Sequence, residues 1–297
     1  MASVMKKSKS IFIFAFGKLL SMFANAYDNL PYGWRARVAF IRPPTNSIAI
    51  YEFARIAPVG VHAVETRLSL ESFTELTEER VMKMVGQIES AVKTLLITRP
   101  DIIATTGTPY MFVAGRNYEL VLEKRVKEFT RVPVLHAASS VAKSLKKLNV
   151  NRPALVHYYP SDLLDKWGAY LKTWGIHATA NQRLPIWKDR QPGYEDYPLF
   201  DEHGAEFERI PYDITFRFAK HVCCNTPECD GLVISGIGMR TLDIIEPLEE
   251  DLGIPVTSSG VSLYWDILQT AGVGHRIEGY GSLLRSLGQS VKRASDN

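Results

Sequence analysis

Cysteine is scarce: Cys223, Cys224 and Cys229 are the only three in 297 residues. A low, odd count excludes a disulfide framework and leaves a four-ligand zinc site short of donors. The spacing HxCCxxxxC would let His221 join them, but it matches no standard finger, and a helix end running into the loop Asn225-Thr226-Pro227 explains it more simply. We read all three as reduced thiols and expect no metal. Excess charge is lacking too. The formal net charge is +3, with Lys and Arg spread along helix faces rather than gathered in blocks, which argues against nucleic acid as a partner. The phosphate loop GxxxxGK[ST], the nucleophile elbow GxSxG and the zinc helix HExxH are all missing, and Gly236-Ile237-Gly238 lacks the third glycine and downstream acid of a dinucleotide site. No cofactor is indicated, and the familiar serine-hydrolase and metalloprotease mechanisms lose their support.

Long apolar runs are confined to Ile11 to Ala26, which Lys18 interrupts. What remains is too short for a membrane span. Lys6, Lys7 and Lys9 before the run and Ala24-Asn25-Ala26 after it have the outline of a signal peptide. Residues 1–33 are read as an N-terminal extension. The expected compartment is the cytoplasm, with export following if residues 1–26 act as a signal, and no membrane partner is expected.

From Arg35 onward, short β-branched runs alternate with longer amphipathic stretches, the pattern of a parallel sheet covered by helices. Strands are predicted at Arg37–Ile41, Val61–Arg67, Ile102–Thr106, Val132–Leu135, Ala154–Tyr158, His177–Ala180, Leu232–Ser235 and Pro255–Thr257. Helices are predicted at Thr77–Thr98, Tyr118–Phe129, Ala142–Leu148, Ser161–Thr173, Asp213–Cys223 and Thr241–Leu252. The segment Ile186–Phe200 is long for a loop and rich in Pro, Gly, Asp and Tyr, and is expected to act as a lid.

The most informative feature is internal. Asp101-Ile-Ile-Ala-Thr-Thr-Gly107, a helix, and Val132-Pro-Val134 recur as Asp230-Gly-Leu-Val-Ile-Ser-Gly236, a helix, and Ile254-Pro-Val256. A second echo links Arg37–Pro43 to Pro153–Pro160, each an apolar strand ending in a Pro-containing turn. The fold expected is α/β, with two pseudo-symmetric Rossmann-like lobes: residues 34–138 plus 259–297, and residues 139–258. Open α/β sheets bind ligands beyond the carboxyl ends of their strands, and a pseudo-twofold axis would bring the two glycine turns face to face. Thr106, Gly107 and Thr108 on one side and Ser235, Gly236, Ile237 and Gly238 on the other offer hydroxyls and closely approachable amides, for which a carboxylate is the natural guest. Asn46 and Tyr159 lie just past two other strands and would add donors.

These residues, with Pro44-Thr-Asn46, Glu52-Phe53, Ala57-Pro58, Tyr158-Tyr159, Ser235 to Asp243, Pro255 to Ser259, Tyr264 to Ile267 and Gly279-Tyr-Gly281, make the chain from about Trp34 onward resemble the arylmalonate decarboxylase and maleate isomerase branch of the aspartate/glutamate racemase superfamily. The resemblance implies two Rossmann-like lobes, no cofactor, and a small mono- or dicarboxylate between them, held by Asn46, Thr108, Tyr159 and the amides of Gly236 to Gly238. It makes a homodimer plausible. The superfamily uses cysteine at one or both strand-end turns, and the matching positions here are Gly107 and Gly236.

Racemisation needs two acid/base groups and maleate-type isomerisation needs a thiolate, whereas decarboxylation needs one proton source and donors that hold the developing enediolate. The reading is therefore a cofactor-independent lyase or isomerase acting on a small carboxylate, with Tyr159, His136 and His157 as the groups available for proton transfer. The alternatives are a carboxylate-binding or regulatory protein of the same fold, or a hydrolytic or elimination enzyme in the same cleft. His136 and His157 also read as satisfied structural histidines, Arg240 as either a second carboxylate ligand or a solvent-facing residue, and Asp243 as a helix cap.

Overall fold

The computed structural model describes residues 32–44, 47–70, 76–184, 200–201, 204–205, 208 and 210–288. Eight short strands form two parallel sheets. In the first, β1 (Ala36–Arg42), β2 (Val61–Arg67), β3 (Ile102–Thr105) and β4 (Val134–His136) lie in the order β2-β1-β3-β4. In the second, β5 (Pro153–His157), β6 (Ala180–Arg183), β9 (Gly231–Ser235) and β10 (Val256–Ser258) lie in the order β10-β9-β5-β6. A small antiparallel pair, β7 (Phe200–Asp201) and β8 (Gly204–Ala205), stands apart. Strands β3, β5 and β9 are buried at every position, as expected when both faces of a parallel sheet are covered by helices.

The two sheets repeat one another down to single hydrogen bonds. Asp101 before β3 accepts from the Arg37 amide at 2.7 Å, and Asp230 before β9 accepts from the Arg152 amide at 2.7 Å. In return the Asp101 amide donates to the Arg37 carbonyl and the Asp230 amide to the Arg152 carbonyl. Helices α6 (Ala137–Lys147) and α10 (Ser259–Thr270) directly follow β4 and β10 and pack on each other. Counted from their first residues, Ser140 matches Ser262 and Ser144 matches Asp266. The observed bonds are Ser144 to Ser262 at 2.7 Å and Ser140 to Asp266 at 2.8 Å, which exchange under a twofold rotation. Lys143 completes this buried polar seam with an ion pair to Asp266.

Three sequence readings are corrected. The helix expected over Thr77–Thr98 is two helices, α2 (Glu78–Val85) and α3 (Ile88–Leu95), because the chain turns at Gly86. The strand expected at His177–Ala180 is β6 at Ala180–Arg183: the His177 and Thr179 amides first bond to Asn151 and Pro153, and the polar run Ala-Asn-Gln-Arg is the one that pairs with β5. Helices α4 (Thr108–Ala114) and α10 were not among the helices expected, since burial along nearly their whole length hides the helical period; nor were α1 (Ile48–Ile56), which buries Ile48, Ala49, Glu52, Phe53 and Ile56 on one face, and the one-turn α11 (Ser282–Arg285). The remaining helices are α5 (Arg116–Lys127), α7 (Ser161–Lys172), α8 (Tyr212–Cys224) and α9 (Ile245–Leu252).

Helix α8 ends at Cys224, with Cys223 buried and Cys224 exposed. The Cys223 thiol, pushed up to about 12 by burial, lies against Cys229. Among the described residues no cluster of three His, Cys, Asp or Glu side chains could hold a metal ion, and no described helix is long and apolar enough to cross a membrane. Apart from Phe200, the expected lid lies outside the described residues, as do residues 1–31 and Asn46.

Candidate active site

Thr106, Gly107 and Thr108 follow the carboxyl end of β3, and Gly236, Ile237 and Gly238 follow that of β9. Tyr159, just past β5, reaches in beside them: its hydroxyl lies against the hydroxyls of Thr108 and of Ser259 at the start of α10. Burial and the neighbouring Tyr158 raise the Tyr159 phenol well above its ordinary range, against the pull of those two hydroxyls. The oxygens of Thr106, Thr108 and Tyr159 are buried, and none makes a hydrogen bond of ordinary geometry among the described residues. Native interiors rarely leave such groups open, at about 1–3 kcal/mol each. Their grouping at paired strand ends makes this the candidate site.

Both turn glycines are capped by a tyrosine ring. A side chain added at Gly107 would overlap the ring of Tyr110, and one added at Gly236 would overlap the ring of Tyr158. Gly236 also has φ +117°, a backbone conformation that favours glycine. Tyr158 does more than fill space. The Gly238 amide donates to its oxygen and favours its ionised form, though burial, the larger effect, pushes the phenol upward. The Gly236 amide is engaged as well, donating to Ser259 Oγ at 3.3 Å. The amides of Gly236 and Gly238 thus already have protein acceptors, and Ile237 turns its side chain into the core.

The two histidines part company with the expectation that they transfer protons. Both nitrogens of His157 are engaged: Nε2 meets Asn181 Oδ1 at 2.9 Å, and Nδ1 accepts from the Tyr159 amide at 3.2 Å. Its ring stacks on that of Tyr159 at 5.2 Å, so His157 positions the phenol rather than delivering a proton. His136 Nδ1 bonds to Thr105 Oγ1 at 2.9 Å. Thr105 and His136 are register partners and point to the face of the sheet opposite Thr106, toward Glu119 of α5. Burial drives each imidazole down to about 4, so both are neutral near pH 7. Ser235 is also engaged, accepting from Trp167 Nε1 at 3.1 Å.

Helix α1 fastens the second turn from across the molecule. Glu52 is fully buried, and its Oε1 accepts from the amides of Thr241 and Leu242 at 2.8 and 3.0 Å, while Oε2 accepts from Tyr264 at 3.3 Å. One turn along, Arg55 forms a two-bond ion pair with Asp243 at 2.6 and 2.8 Å. Asp243 is therefore a clasp between the halves, and Glu52 occupies the cap position expected of it. Arg240 stacks on Tyr212 at 4.6 Å and bonds to the Ile210 carbonyl. Glu52 was visible in the sequence only as part of a motif. Its signal was an acid on the apolar face of a helix, a placement that requires partners.

Comparison with known proteins agrees with this architecture. The arylmalonate decarboxylase family profile matches residues 39–190 and 205–284. The chain is 26% identical over 247 residues to arylmalonate decarboxylase of Bordetella bronchiseptica, covering 83% of this chain and 95% of that one. It is 22% identical over 263 residues to maleate isomerase of Geobacillus stearothermophilus, covering 84% and 96%. A solved structure of Nocardia farcinica maleate cis-trans isomerase, a cysteine-to-serine mutant with a covalently bound succinylcysteine intermediate, superposes with a TM-score of 0.70 at 22% identity, covering 84% of this chain and 98% of that one. The chain belongs to the arylmalonate decarboxylase family.

Proposed function

We propose that this protein is a cofactor-independent lyase or isomerase acting on a small carboxylic acid, and that within that class its chemistry is decarboxylation-like. The observation that carries this is the trio of buried, open hydroxyls of Thr106, Thr108 and Tyr159 at the paired strand ends. A carboxylate accepting from Thr108 and Tyr159 would leave its enediolate form, when a neighbouring bond breaks, held by the same two donors. Thiol addition finds no support. Cys223, Cys224 and Cys229 lie at the end of α8 and in the following loop, and tyrosine rings take the space beside Gly107 and Gly236 where a turn cysteine would sit. When a carboxylate leaves as carbon dioxide, its bonding pair stays on the remaining carbon, and one proton then completes the product.

The test is proton NMR in D₂O with phenylmalonate, methylmalonate, maleate and aspartate. The expected result is release of carbon dioxide from a malonate with one deuterium in the product, and a loss of about 100-fold in kcat in Tyr159→Phe, as when one donor to an oxyanion is removed. Conversion of maleate with the malonates untouched would place the chain with the isomerases. Saturable binding of these acids with no turnover would make it a carboxylate-binding protein.

A further inference from the structure

The duplication supplies an internal control. At the carboxyl end of β5 stands His157, paired in register with Ser235 of β9. All their polar atoms find partners: His157 bonds to Asn181 of β6 and to the Tyr159 amide, and Ser235 accepts from Trp167. In the first half the matching residue is Arg42, at the end of β1, and its neighbour is Thr106, one step past the Ile41–Thr105 pair. The match extends to the next strand. Asn181 lies two residues before Arg183, the register partner of His157, and Glu65 lies two residues before Arg67, the register partner of Arg42. Arg42 Nη2 bonds to Glu65 just as His157 bonds to Asn181.

There the likeness stops. Arg42 Nε and Nη1 and Thr106 Oγ1 are buried and have no hydrogen-bond partner among the described residues, although Arg42 is only 2% exposed. Side chains at paired positions of parallel strands point to the same face, so these open donors are neighbours, and Thr106 directly precedes Gly107 of the candidate site. A guanidinium stays protonated at any ordinary pH. Burying it with two nitrogens lacking acceptors is costly, and an anion is what would relieve that cost. We propose that Arg42 and Thr106 form a carboxylate subsite, holding the second carboxylate of a dicarboxylic acid whose first lies on Thr108 and Tyr159. The proposal rests on the reading of the site as one for carboxylic acids, and narrows that reading to dianions.

Calorimetric titration of the full chain with phenylmalonate and maleate as dianions and phenylacetate as a monoanion tests it. The wild type is expected to bind a dianion more tightly than the monoanion. Arg42→Met, which keeps the length and loses the charge, should weaken the dianion about 30-fold while changing the monoanion less than threefold. Arg42→Lys should recover part of that loss, and Thr106→Val should cost about fivefold on the dianion alone. Thermal unfolding of each variant separates folding from binding. Should Arg42→Met fail to fold, Arg42→Lys and Thr106→Val decide: unchanged dianion affinity in both overturns the subsite. Dianion affinity unchanged in Arg42→Met, with turnover intact, overturns the subsite and leaves the lyase reading standing. Arg42-dependent dianion binding with no turnover does the reverse. A wild type that binds none of the three acids overturns both.

Discussion

Gly236→Cys is expected to fold less stably than the parent by about 3 kcal/mol or more, and to lose whatever activity the parent has. Two costs combine. At φ +117° any residue with a Cβ is strained, at about 1–3 kcal/mol. The added atoms also overlap the Tyr158 ring, and overpacking of a fixed interior costs about 1–3 kcal/mol more. The ring has little freedom to yield, since its hydroxyl is tied to the Gly238 amide and it packs on Tyr159 at 5.2 Å. The second cost is shared between positions 158 and 236, so it is removed when Tyr158 is trimmed. Tyr158→Ala alone leaves a cavity and destabilises by itself. Combined with Gly236→Cys, the two changes should cost about 2 kcal/mol less than the sum of the single effects, because the cysteine partly fills the space the ring vacated. Urea unfolding of the four proteins in the cycle measures this directly. Additive effects would mean that Tyr158 does not occupy the side-chain space of Gly236. Gly107 provides the contrast: at φ −76° its backbone suits any residue, so Gly107→Ala should carry only the overlap with Tyr110.

The frame of this protein was open to reading from the sequence because it depends on pattern. Asp101 to Gly107 and Asp230 to Gly236 each spell a buried strand, a hydroxyl and a glycine, and the two sheets place them at equivalent points. Thr106, Thr108 and Tyr159 could be proposed for the site because strand ends in such folds face ligands, whatever the rotamers. What the sequence withheld depends on direction. His136 and His157 sit at strand ends as expected, yet one points away from Thr106 and the other is bonded at both nitrogens. Arg42 ends an apolar strand just before Pro43 and Pro44, where its charge stands out, but only the register with β3 and the matched pair in the other half reveal its open donors. The rings over Gly107 and Gly236 come from residues 3 and 78 positions away in the chain, and no local spacing encodes the second of these contacts.

Glu52 should make the molecule lose stability as the solution becomes more alkaline, in a window fixed by its environment. Burial raises its carboxyl to about 7 from an ordinary 4.5, with the Leu242 and Thr241 amides and Tyr264 pulling the other way. Below about pH 4.5 the group is protonated in both folded and unfolded chains and has no effect on the balance. As pH rises from there to 7, the unfolded chain gives up its proton while the folded chain retains it. Folding is progressively disfavoured, by about 3 kcal/mol once pH exceeds 7. His136 and His157 act in the opposite sense: held near 4 by burial, they favour folding above about pH 6.5 and withdraw that support as pH falls toward 4. The wild-type curve alone mixes these contributions, so the informative quantity is the difference between wild type and Glu52→Gln. The amide keeps an oxygen for the Thr241 and Leu242 amides and never ionises. Measured by urea unfolding, its stability relative to wild type should climb by about 3 kcal/mol between pH 4.5 and 7.5 and then stay level, a shift of roughly 5–10 °C in melting temperature. A difference that stays constant across that range would mean Glu52 ionises as freely in the folded chain as in the unfolded one. Glu52→Ala should behave differently again. With no acceptor for the two amides, it loosens the turn that carries Gly236 to Thr241, so any turnover should fall at every pH, whereas Glu52→Gln should keep it.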